Sequence, residues 1–104
     1  MKIEPIDGGL ALRGELDADT AGRLDVILQE ALIDSCGPFV LDLSGLTFMD
    51  SGGINELLRT RALLGREERT LVVVCEGGPV RRVIDLVGIA DLFTIVPTRE
   101  AALV

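Results

Sequence analysis

The chain has no histidine, no tryptophan and no tyrosine, and it has only three phenylalanines, two cysteines and one lysine. Each shortage removes a class of chemistry. Without histidine, the usual general base of serine and cysteine nucleophiles is missing, and so is the commonest metal ligand. With so few aromatics, the core must be built from Leu, Val, Ile and Ala. Basic residues are outnumbered, ten against seventeen acids, and the net charge of −7 repels phosphate backbones, so nucleic-acid binding is not expected. Cys36 and Cys75 are too far apart for a CxxC redox or zinc pair. They read as two reduced, half-buried thiols of a cytosolic protein. The first residues, MKIEPIDGG, contain no apolar signal-peptide core, and a cytoplasmic location is the expectation. The longest aliphatic run, Leu71-Val72-Val73-Val74, is far short of a membrane span.

What remains suits one globular domain over residues 1–104, 48% hydrophobic and 26% charged. Lys2–Ile6 and Leu10–Gly14 read as strands about a Gly8-Gly9 turn. Asp19 or Thr20 can cap a helix whose stripe is Leu24, Ile27, Leu28, Ala31 and Leu32, ended by Gly37-Pro38. Phe39–Leu43 is a short strand. Ile54, Leu57, Leu58, Ala62 and Leu64 share a second helical face, and Gly65 is its stop. The β-branched run Thr70–Cys75 predicts a central strand. Gly77-Gly78-Pro79 opens a third helix along Val80, Val83, Ile84 and Val87, closed by Gly88. Leu92–Val96 reads as a last strand, with Thr98 capping a terminal helix. The class is α/β, in the order β-β-α-β-α-β-α-β-α. The alternation from residue 39 onward implies a largely parallel sheet with an antiparallel hairpin added.

In such sheets function gathers where strands end and helices begin. The stretch FMDSGGINEL, residues 48–57, occupies that position. Ser51 within it is open to four readings. A nucleophile lacks a histidine and the GxSxG elbow, and a carboxylate such as that of Asp50 is a poor base for a hydroxyl proton at neutral pH. A phosphate cradle lacks both GxxxxGK[ST] and GxGxxG. The similar segment Gly77–Arg82 reads more simply as a tight turn with solvated arginines. An N-cap suits Ser, Asp and Gly alike. A modification site is also permitted, since a phosphate of about −1.5 to −2 charges is tolerated at a helix N-terminus. Burying that dianion against a partner would cost several kcal/mol, and each ~1.4 kcal/mol is tenfold in affinity.

Three stretches carry a resemblance: RGELDADTAGRL (13–24), VLDLSGLTFMDSGGINEL (40–57) and VRRVIDLVGIADLFTIVPTREAAL (80–103). The chain resembles a STAS domain of the anti-sigma factor antagonist type over nearly its whole length. The resemblance implies a small mixed β-sheet flanked by helices. It implies a regulatory protein without enzymatic activity or cofactor, which binds an anti-sigma factor that is also a serine kinase and so frees a sigma factor. The kinase would phosphorylate Ser51 and end the interaction, and a metal-dependent serine phosphatase would restore it. ATP and magnesium would belong to the kinase. Asp50 would shape the acceptor, and Asp17, Asp50, Ser51, Gly52, Gly53, Ile54, Asn55 and Leu58 would form the partner-binding surface. Asp17 is equally a turn or cap residue before the first helix. Where the family has Asp-Ser-Ser/Thr-Gly, Gly52 stands here, which removes the neighbouring hydroxyl and loosens the backbone. Asn55 and Glu56 stand where small or apolar residues are common, which implies altered partner specificity. Arg61 is expected to pack its stem and snorkel its head. The rival expectation is an accessory STAS module serving a small ligand, or a transport or lipid system, with Ser51 only a helix cap.

Overall fold

The structure, a computed structural model, describes residues 1–102. Its elements follow the expected order: β1 (Lys2–Ile6), β2 (Gly9–Leu16), α1 (Ala18–Ile33), β3 (Phe39–Met49), α2 (Ser51–Gly65), β4 (Leu71–Val74), α3 (Gly78–Val87), β5 (Thr94–Val96) and α4 (Arg99–Ala102). The five strands form one mixed sheet in chain order. β1 and β2 are an antiparallel hairpin, and every later pairing is parallel.

Strand alternation divides the apolar residues between the two faces. Leu10, Leu12, Phe39, Leu41, Leu43, Leu71 and Val73 are buried with Leu24 and Leu28 of α1, Leu57 and Leu64 of α2, and Val80 and Ile84 of α3. Val40, Val72 and Val74 make a smaller cluster on the opposite face, against Ile6, Val96 and Ala102. Asp42 lies among them, only 3% exposed. Burial by itself would push its carboxyl up, but hydrogen bonds from the Ser44 amide and hydroxyl and from Arg99 outweigh burial and hold it below the usual carboxylate range. Arg99 belongs to α4, so this ion pair ties the terminal helix across the sheet.

Several elements depart from the sequence reading, each for a local reason. β3 does not stop at Leu43. It continues through Ser44-Gly45 to Met49, held by β2 across two irregularities of register. The cap of α1 is Asp17, with Thr20 inside the first turn. β5 is shorter than expected, because a 3-10 turn at Ala90–Leu92 brings Ile89 and Phe93 into the core and leaves Leu92 outside. The two thiols are not alike either. Cys36 is exposed, while Cys75 is buried, which pushes its thiol pKa up.

Candidate functional site

Two parallel strands end side by side, with Leu16 of β2 in register with Met49 of β3. The next residue on each is an aspartate, and each aspartate caps the helix that follows. The Asp50 amide donates to the Leu16 carbonyl at 3.2 Å, which joins the two helix starts. Asp17 Oδ1 accepts from the Thr20 amide at 2.9 Å, and the Thr20 hydroxyl accepts from the Asp17 amide at 2.9 Å. The Thr20 amide and hydroxyl hold the Asp17 carboxyl below its ordinary pKa. At α2, Asp50 Oδ1 accepts from the amides of Gly52 at 2.9 Å and Gly53 at 3.4 Å.

The cap of α2 is therefore Asp50 and not Ser51. A carboxylate one residue before the helix reaches both free amides, which satisfies donors the helix itself cannot. Ser51 becomes the first helical residue, exposed, and among the described residues its hydroxyl has no hydrogen-bond partner.

The two glycines are set by close approach. A β-carbon on Gly52 would lie 2.8 Å from the Ala18 Cα and 2.9 Å from its nitrogen. One on Gly53 would lie 2.4 Å from Met49 Cγ and 3.1 Å from the Leu16 carbonyl oxygen. The starts of α1 and α2 pack backbone to backbone at Gly52, where a side chain would force the Ala18 backbone or its own to shift.

The sequence-predicted surface residues separate by depth. Ser51 and Asn55 are exposed, and Asp17, Asp50, Gly52 and Leu58 are half-buried. Gly53 and Ile54 are buried, and Ile54 belongs to the core, so these two shape the surface from beneath. Ala62, expected on the buried face, is exposed, and Thr60 takes its place with its hydroxyl on the Glu56 carbonyl at 2.8 Å. Arg61 lies outside, its Nε donating to the Leu92 carbonyl at 2.6 Å. The Gly77-Gly78 segment is a turn: both glycines have positive φ, and Arg81 pairs with Asp85 at 3.1 Å.

Glu56 is the residue whose burial the sequence reading missed. It is 5% exposed, and among the described residues its Oε1 has no hydrogen-bond partner. Burial first, then the neighbouring Asp25, push its carboxyl pKa up to about 7. The signal was present in the spacing. Gly53, Leu57, Thr60 and Leu64 step along one side of α2, and Glu56 lies within that stripe.

Among the described residues no helix is long and apolar enough to cross a membrane. Comparison with known proteins agrees with this architecture. The family model described as "Mlab, STAS domain" matches residues 2–97. The anti-sigma-F factor antagonist RsfB of Mycobacterium tuberculosis is 33% identical over 94 residues, covering 90% of this chain and 76% of that protein. An anti-sigma F factor antagonist of Paenibacillus polymyxa is 34% identical over 87 residues, covering 83% and 72%. The crystal structure of an anti-sigma factor antagonist from Mycobacterium paratuberculosis superposes with a TM-score of 0.84 at 35% identity, covering 98% of this chain and 88% of that one. The chain belongs to the STAS domain family, and its relatives there are anti-sigma factor antagonists.

Proposed function

We propose that this protein is a cytoplasmic anti-sigma factor antagonist that docks on an anti-sigma factor serine kinase through the start of α2 and is released when Ser51 is phosphorylated. One observation carries the reading. Ser51 presents a free hydroxyl at the first helical position, because Asp50 has taken over the capping. A serine needed only as a cap would be engaged, so the rival reading of Ser51 as a cap loses its support.

The same geometry supports a switch that leaves the fold intact. The Gly52 and Gly53 amides already point at the Asp50 carboxylate. A phosphoryl group on Ser51 would extend outward, adding about −1.5 to −2 charges beside Asp50. The docking surface would become more negative and more strongly hydrated while the core beneath it stayed in place. A partner would have to desolvate that dianion, which costs several kcal/mol unless new cations meet it. Gly52 leaves Ser51 as the sole hydroxyl of the motif. ATP and magnesium are brought by the kinase, and a serine phosphatase resets the state.

The test is an affinity capture from native cell extract with wild-type, Ser51→Ala and Ser51→Asp baits, read by mass spectrometry with phosphosite mapping. A kinase-fold anti-sigma protein is expected with wild type and Ser51→Ala and depleted with Ser51→Asp, and Ser51 is expected to carry phosphate. An identical set of proteins on all three baits, with Ser51 never modified, would overturn the reading.

A further inference from the structure

Beside Gly52, between α1 and α2, lies a pocket of about 310 Å³ lined by Ala18, Asp25, Gly52, Asn55, Glu56 and Arg59. Its chemistry is unbalanced. Glu56 is buried with Oε1 unpartnered among the described residues. The charged groups facing it are Asp25 of α1 and Arg59 of α2. Arg59 Nε lies 3.4 Å from Asp25 Oδ1, and Gln29 donates to Asp25 Oδ2 at 2.8 Å, so Asp25 is served and Glu56 is not. Arg59 is itself 61% exposed at its side chain, a largely hydrated cation. Two carboxylates thus share one loosely held guanidinium.

A buried carboxylate oxygen without a donor is unfavourable. The deficit can be met by a proton or by an additional cationic donor. In the free chain the proton meets it, which is the physical content of the raised Glu56 titration. Gly52 and Asn55, which line the pocket, stand beside Ser51 in the first turns of α2. A protein covering Ser51 would cover this pocket too.

We propose that the pocket is a socket for one guanidinium side chain of the protein that docks over Ser51, with the carboxylates of Glu56 and Asp25, both of which line it, as its acceptors. The docking rests on the function proposed above, while the socket itself does not depend on which protein arrives. A planar guanidinium can offer parallel donors to two acceptors, and a chain of net charge −7 favours an approaching cation. Occupation exchanges the Glu56 proton for the guanidinium, so binding releases a proton. The sign follows: affinity rises with pH through about 7, where the free Glu56 ionises, and levels off above it.

The experiment uses the purified full chain and N-acetylarginine amide as the probe, followed by NMR of the Glu56 carboxyl carbon and the Gly52 and Asn55 amides. At a pH above the Glu56 midpoint the probe is expected to shift those amides saturably and to move the Glu56 midpoint downward. At a pH well below it, binding is expected to weaken about tenfold, the loss of a charge-assisted bond. Glu56→Gln keeps the side-chain shape without the charge. An unchanged amide spectrum elsewhere will show that it folds, and its binding should match the low-pH wild type. Asp25→Asn should weaken the probe as well. Shifts that never saturate, or that are the same in Glu56→Gln and at both pH values, would overturn the socket. Because the probe is a small molecule, failure of the anti-sigma docking leaves this result standing, and failure here leaves the docking standing.

Discussion

The starts of α1 and α2 are built to one plan and finished differently. Both follow parallel strands whose last residues are in register, both are capped by an aspartate, and they touch through Ala18 and Gly52. At α1 the cap is reciprocated. Thr20 bonds back to Asp17, and the first helical residue is Ala18, which has no polar group to offer. At α2 the residue equivalent to Thr20 is Gly53, which cannot reciprocate, and the Asp50 amide turns instead to Leu16. The first helical residue there is a serine with an unused hydroxyl. One helix start is closed on itself. The other has two of its free amides satisfied by a single carboxylate and leaves its first side chain without a hydrogen-bond partner among the described residues.

The sharpest way to break the comparison is Gly52→Ser, which restores the family's hydroxyl but drives a β-carbon against the Ala18 backbone. We expect a loss of about 1–3 kcal/mol, lowering the thermal midpoint by roughly 4–8 °C per kcal/mol for a chain near this length. The equivalent change at α1, Asp19→Ser, falls on an exposed residue and should stay within about 0.5 kcal/mol. Thermal melts of the two variants side by side decide the matter, and equal melts would mean that the helix starts do not pack as described. A smaller effect is expected from Asp50→Ala. It frees the Gly52 and Gly53 amides and should cost about 1 kcal/mol, read as a lower urea midpoint at unchanged slope. The smallest is Ser51→Ala, within about 0.5 kcal/mol, because no hydrogen bond is lost. Denaturant curves for Thr20→Val should differ clearly from it, since that hydroxyl closes the α1 box.

Much of this contrast was legible in the sequence. The order of elements, the hairpin and the strand-to-helix position of Ser51 all follow from apolar periodicity and turn residues. The division of labour between Asp50 and Ser51 did not, because both residue types cap helices, and only backbone direction decides which carboxylate or hydroxyl reaches the amides. The length of β3 was hidden for a related reason. Ser44-Gly45 has the composition of a turn, yet pairing with β2 carries the chain straight through. Glu56 was obscured by its charge. In the sequence it reads as a mark of altered partner specificity, whereas the structure buries it within the stripe. Gly52 looked like added freedom, whereas the fold uses it for its lack of volume.

The great length of β3 has a consequence for motion. Near its start, Val40, Leu41 and Asp42 are paired on both sides, with β2 and with β4. From Leu43 to Met49 the strand has only β2 beside it. Amide hydrogen exchange should therefore be slowest at one end of this strand and grow faster toward the other, with openings that need not involve the core. Ser51 hangs from the faster end. An enzyme that must draw this serine into its own cleft would pull on the part of the sheet that yields first, while the doubly paired half keeps the remainder of the domain folded.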